Sequence, residues 1–211
     1  MGIWISNPIP RGQRLDITNA KNHIFGITLL NDWSARSIQF AEMQPLGPFH
    51  SKGSLTSISP WIIPIEALNQ VASCPRHTDQ QPNPLPHLTS PDSSAATWNI
   101  NLQCSIFRNG KEHICSQSNL NELHWTPLQQ ITHLASAGEG LTPGDVFGTG
   151  TISSSVRFSP YSMPPHYLIS CIGLIKSCSA HKFRQRKNRA LMSMGAPNLV
   201  CETQFPTHGY Q

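Results

Sequence analysis

The sequence predicts a mixed α+β domain dominated by strands, and three observations carry that expectation. Charged residues make up only 12% of the 211 residues, while prolines number 18 and glycines 14. Such a composition suits turns and short strands better than a helical bundle. Apolar stretches of strand length or strand period recur, whereas helix signals are confined to two short stretches. A chain of this length buries one sizeable core, so a single domain is expected.

The elements follow in order. His23–Leu30 is an apolar run of strand length that ends at Asn31-Asp32. Asp32 stands where an N-cap is wanted, and a helix is expected from there through Glu42, until Pro45 and Gly47 break it. Pro60–Pro64 reads as a short buried strand punctuated by prolines. The proline-rich stretch 74–93 has few large apolar groups and reads as a long surface loop. Trp98, Ile100, Leu102, Cys104 and Ile106 alternate with polar residues, the period of a half-buried strand. Asn109-Gly110 then suits a type I′ turn and a hairpin with a weaker return strand. Thr126-Pro127 supplies an N-cap and an N1 proline for a helix of about ten residues, with Leu128, Ile131 and Leu134 on one face and Gly138 as its stop. Pro143-Gly144 is a turn, and Val146-Phe147 enters a last strand that runs into Gly148-Thr149-Gly150-Thr151. Beyond Ser153 no period of 2 or 3.6 persists, so 154–211 is expected to be an irregular or disordered tail.

Charge separates these two parts. Residues 1–153 hold 8 Lys/Arg and 10 Asp/Glu, a net of −2, whereas 154–211 hold 7 Lys/Arg and only Glu202, a net of +6. The excess positive charge therefore belongs to the tail, including the basic run Lys182–Arg189, and the body is near neutral. No aromatic residues alternate with that basic run, so nucleic acid is not expected as a partner. The six cysteines form no Cys-x-x-Cys pair and fit neither a zinc site nor a disulfide scaffold. No signal peptide or membrane-length apolar run is present, and a reducing, cytoplasmic setting is the expectation. Met1-Gly2 with Ser6 matches a myristoylation pattern, a motif short enough to arise by chance.

Several residues could carry chemistry. On a continuous helix, Asp32, Arg36, Gln39 and Met43 would share one stripe. An acid, a cation and an amide so aligned suit a polar substrate or a metal; the alternative is an N-cap followed by a solvated polar face. Lys52, between Ser51 and Gly53, could point inward at an anion or simply lie exposed. Gly148-Thr149-Gly150-Thr151 could let a ligand approach the backbone closely or merely end a strand tightly. His124 and His133 lack an obvious acidic partner, and no nucleophile elbow or Walker loop occurs.

Together these segments resemble the fumarylacetoacetate hydrolase family. The matching blocks are HIFGITLLNDWSARSIQ (23–39), PLGPF (45–49), Lys52 with TSISPW (56–61), WTPLQQITHLAS (125–136) and LTPGDVFGTGTIS (141–153). The resemblance implies a fold of the mixed β-roll type, incomplete here, with 1–153 as part of the catalytic domain. It implies hydrolysis of a carbon–carbon bond in a β-diketo acid, fumarylacetoacetate giving fumarate and acetoacetate in tyrosine and phenylalanine catabolism. It implies Mg²⁺ or Ca²⁺ as cofactor, with Asp32 as a carboxylate ligand and Lys52 and Thr56 in the metal-side environment. Arg36, Gln39 and Lys52 would stabilise the oxyanion, Gln39, Met43 and Thr151 would contact substrate, and a homodimer would form.

The departures are also specific. Met43 stands where the family has a tyrosine, and Gly53-Ser54-Leu55 where it has Ser-Phe-Gly. The family's catalytic histidine and further metal carboxylates fall upstream of Met1, so an impaired, truncated hydrolase is expected. A sister hydrolase or decarboxylase of the same superfamily is a second reading. A non-catalytic binding or dimer-partner protein that keeps the fold is a third.

Overall fold

The computed structural model describes residues 1–76, 79–108, 111–153, 182–183 and 199–204. Its largest sheet has five strands in the order β11-β10-β1-β2-β5. These are β1 (Gly2–Ile5), β2 (Ile24–Thr28), β5 (Ile63–Pro64), β10 (Val146–Gly148) and β11 (Lys182–Phe183). A three-stranded sheet follows the order β12-β8-β9, built from β8 (Asn101–Arg108), β9 (Lys111–Asn119) and β12 (Leu199–Gln204). Two ribbons complete the strands: β3 (Leu30–Asp32) with β4 (Thr56–Ile58), and β6 (Ser73–Cys74) with β7 (Thr97–Trp98). The helices are α1 (Arg36–Glu42), α2 (Ile65–Val71) and α3 (Pro127–Ser136). The mixed, strand-dominated expectation therefore holds.

The core explains the order of the large sheet. β1 lies between two antiparallel neighbours, pairing Ile3 with Phe147 of β10 and with Ile27 of β2. Those residues are buried together with Ile5, Leu68, Trp98, Ile100, Leu120 and Ile131. Each such side chain removed from water contributes about 1.5–3 kcal/mol. Gly2 is buried within this strand too, so the short Met-Gly…Ser match lies in a packed element. At Gly26 a Cβ would come within 2.3 Å of the Ile63 carbonyl oxygen, so only glycine lets β5 pair with β2 there.

Helix α3 is as expected from its sequence. Thr126 accepts from the Gln129 amide at 3.3 Å, and the Gln129 side chain accepts from the Thr126 amide at 3.0 Å, a closed capping box. Pro127 occupies the first turn, and Gly138 stops the helix at φ +80°. Leu128 and Ile131 are buried and Leu134 packs against the core.

Elsewhere the structure departs from the expectations. The run 23–30 splits at Leu29: β2 pairs with β1 and β5, while β3 turns away to pair with β4. In 60–64 only Ile63–Pro64 is strand, and Trp61 is 81% exposed rather than buried. The alternation from Trp98 is shared by two strands, because β7 pairs with β6 and the chain then passes to β8. A register shift between Cys104 and Ser105 buries both and breaks the period. The loop 74–93 does not lie wholly on the surface. Gln80 and Leu88 are buried, and Gln80 exchanges two amide hydrogen bonds with Gln129, at 2.8 and 3.0 Å, that staple the loop to α3. The Asn109-Gly110 turn lies outside the described residues, but β9 runs through nine residues, a fuller return strand than expected. Within 154–211, where no period shows, residues 182–183 pair with β10 and 199–204 with β8. The remainder of that segment, with most of the basic run, lies outside the described residues.

Candidate active site

The candidate residues gather where β3, α1 and the loop after α1 meet. Asp32 is not an N-cap. Helix α1 begins at Arg36, its N-cap is Ala35, and no side chain caps it. Asp32 is instead the last residue of β3, held extended opposite Thr56 of β4. Just past the strand, the Trp33 amide donates to the Leu55 carbonyl at 3.2 Å and the Trp33 indole N–H to Ser57 Oγ at 2.7 Å. Pairing across two strands supplies several hydrogen bonds that one capping contact cannot match, so β3 keeps Asp32. The single helical stripe therefore does not exist: Arg36 and Gln39 lie on the helix, while Met43 is its C-cap.

What forms is two bonded pairs on adjoining elements. Lys52 Nζ donates to Asp32 Oδ2 at 2.5 Å, with both side chains partly exposed. Thr56 stands opposite Asp32 in the ribbon, so Asp32, Lys52 and Thr56 are brought together. Arg36 Nη1 donates to Gln39 Oε1 at 2.5 Å, and the Arg36 guanidinium lies 5.3 Å from the Phe40 ring centroid. Gln39 is 1% exposed, yet its Nε2 meets no acceptor among the described residues. Leaving a buried amide N–H unbonded costs about 1–3 kcal/mol, so this donor stands ready for an oxygen.

Met43 and Thr151 hydrogen-bond to none of these groups among the described residues. Thr151 is exposed, just past Gly150 at φ +78°. Of the Gly-Thr-Gly-Thr segment it is Thr149 that is built in: it is buried, its amide donates to the Met1 carbonyl at 2.9 Å, and its own carbonyl accepts from Gln130 Nε2 at 3.1 Å. A cleft of about 380 Å³ lies elsewhere, lined among others by Lys21, Ile24, Ile65 and Glu66, and includes no candidate residue.

Glu42 takes part as well, although in the sequence it marks only the end of the expected helix. Its Oε1 accepts from the Phe49 amide at 2.6 Å, from the Ser51 amide at 2.9 Å and from the Ser51 hydroxyl; its Oε2 accepts from the His50 amide at 3.2 Å. The Ser51 hydroxyl bond, foremost, and the three backbone bonds hold the carboxyl down at about 2. One signal was available. A carboxylate in the last turn opposes the helix dipole, so an acid there before a Pro-Leu-Gly-Pro-Phe turn asks for donors from that turn.

The metal expected from the resemblance meets a poor donor set. Asp32 offers one carboxylate, already bonded to an ammonium, and no group of three or more His, Cys, Asp or Glu side chains comes together among the described residues. Hard divalent cations take six to eight oxygens in the case of Ca²⁺ and near-octahedral sets for Mg²⁺. These residues by themselves do not fit such an ion.

Comparison with known proteins bears on the family of the chain. The chain is 43% identical over 144 residues to the fumarylacetoacetase of Arabidopsis thaliana, covering 67% of this chain and 33% of the relative. It is 45% identical over 148 residues to that of Mus musculus, covering 68% and 34%. The chain thus spans about a third of the length of the curated relatives it matches. Among solved structures, Cg1458 superposes with a TM-score of 0.48 at 22% identity, over 69% of this chain and 44% of that one. No helix among the described residues is long and apolar enough to cross a membrane. The family model for the fumarylacetoacetate (FAA) hydrolase C-terminal region matches residues 1–200, past the Ser153 boundary drawn from the motifs, and the chain belongs to that family.

Proposed function

We propose that this chain supplies the oxyanion-binding part of a hydrolase that cleaves a carbon–carbon bond in a β-diketo acid, with fumarylacetoacetate as the substrate suggested by its relatives. In that reaction water adds to a carbonyl carbon, and the carbonyl oxygen gains negative charge. The carbon–carbon bond then breaks, and its electron pair passes to the departing enolate, which takes up a proton. Donors aimed at the developing charge lower both barriers.

Arg36, Gln39 and Lys52 are donors of the required kind. Arg36 presents a planar fork of N–H groups, Lys52 a compact ammonium on a flexible stem. The observation that carries the reading is the buried Gln39 amide N–H, beside Arg36, which meets no acceptor among the described residues. A substrate oxygen would satisfy it. Asp32, paired with Thr56 across the ribbon, holds Lys52, and Met43 and Thr151 are proposed substrate contacts. Homodimer assembly and a cytoplasmic setting belong to the same reading.

Proton transfer is the step these residues do not supply. Asp32 is bonded to Lys52 and Glu42 to the loop amides, so neither is poised to accept a proton from water. With neither carboxylate of this site free to act as base, the site among the described residues is expected to bind a β-diketo acid without turning it over. Calorimetric titration with a β-diketo acid at neutral pH tests this. Gln39→Ala and Lys52→Ala are each expected to weaken binding about tenfold, equivalent to about 1.4 kcal/mol. No measurable heat with the unaltered chain would sink the reading, and release of fumarate at enzymatic rates would show that a proton acceptor outside Asp32 and Glu42 serves the site.

A further inference from the structure

We propose that Glu42 is a positioning residue: its carboxylate clips the Phe49–Ser51 loop to the C-terminal end of α1 and thereby holds Lys52 on Asp32. Its functional meaning rests on the reading of Lys52 as a ligand-facing cation; its geometry stands apart from that reading. Glu42 closes the last turn of α1, an unfavourable place for negative charge. The three successive amides of residues 49, 50 and 51 all point at it, and the Ser51 hydroxyl adds a fourth donor. Successive N–H groups arranged in this way form an anion nest, here filled by the protein's own side chain.

Ser51 is the joint of the device. It is fully buried, and its amide and hydroxyl both donate to Glu42. Its carbonyl accepts from the Ala35 amide at 2.9 Å, at the opposite end of α1. The helix therefore grips one residue from both of its ends. Lys52 is the next residue, and the tight turn closed by its own amide on the Phe49 carbonyl at 3.2 Å directs it to Asp32. Without the Glu42 clip, the backbone of the Phe49–Lys52 turn would keep the Ala35 bond but lose four donors' worth of anchorage, and the lysine would sample orientations away from Asp32.

Acylation of lysines by an N-hydroxysuccinimide ester, read peptide by peptide by mass spectrometry, tests the proposal on the full chain. Lys21 and Lys111 serve as references within the same molecule. In Glu42→Gln, which keeps the shape and removes the charge, Lys52 labelling is expected to quicken about two- to fivefold, the range set by a partly exposed ion pair, with the references unchanged. Asp32→Asn, which removes the acceptor's charge directly, is expected to quicken Lys52 at least as much. Quickening in Asp32→Asn but not in Glu42→Gln overturns the positioning role and leaves the Asp32–Lys52 pair intact. No change in either overturns the pair, and with it both this proposal and the site reading. Equal quickening at all three lysines means general loosening and also overturns it. If Glu42→Gln loses its cooperative melt, Ser51→Ala carries the test. It removes one donor of four, so a smaller rise confined to Lys52 is expected, and unchanged Lys52 labelling in the folded variant overturns the proposal.

Discussion

Helices α3 and α1 are both short, yet their ends are fixed by different things. α3 starts with a closed capping box and a first-turn proline, ends at a glycine, and buries most of its surface. α1 has no side-chain cap and buries only Gln39, leaving Ile38 and Phe40 exposed. What holds α1 in place is a set of bonds to one loop, through the Ala35 amide at its start and the Glu42 carboxylate at its end. Short-range signals specify the first helix, and contacts with distant residues specify the second. The candidate site is built on the second, since a helix with little core to serve can devote its polar side chains to a ligand.

Substitutions can break that contrast. The largest effect is expected at the buried face of α3, where Ile131→Ala should cost about 2–5 kcal/mol in denaturant unfolding. A loss under 1 kcal/mol there would mean that α3 is not the anchored element. Thr126→Ala, which opens the capping box, should cost about 1 kcal/mol. Ala35→Ser, which gives α1 the cap it lacks, should add about 0.5 kcal/mol, and a destabilised variant would show that the Ala35 position is fixed by its loop contact alone. Exposed Ile38→Ala should stay within about 0.5 kcal/mol of the parent chain.

The last prediction concerns pH and needs no change in overall stability. The Glu42 carboxyl titrates at about 2 in the fold, against an ordinary 4.5. Because its folded value is lowered, its contribution is complete above the ordinary value and is lost as pH falls from there toward about 2. The amide resonances of Phe49, His50 and Ser51 are expected to shift with a midpoint near that lower value. A midpoint at the ordinary carboxylate value would show that the clip is open in solution.

These contrasts also mark how far the sequence could be read. Val146–Gly148 and all of α3 were legible because periodicity, capping and turn residues act within a few positions of each other. The motif blocks brought Asp32, Arg36, Gln39, Lys52 and Thr56 forward as candidates. The place of Asp32 is ambiguous in the sequence, since Asp before an apolar-polar run satisfies both an N-cap pattern and a strand end. Its pairing with Thr56, twenty-four positions along the chain, decided the matter. The buried places of Gln80 and Leu88 in a proline-rich loop were hidden for the same reason, because their partners Gln129 and α3 lie far away in sequence.

The sequence by itself determined the strand-dominated class, the limits of α3 and the chemical types available to the site. Only the tertiary structure decided which polar group answers which: Lys52 with Asp32, Arg36 with Gln39, and Glu42 with the loop that carries Lys52. Apolar burial is non-directional and follows from composition and period. Hydrogen bonds and ion pairs require particular atoms at particular distances, and those are settled only when segments distant in the chain have packed.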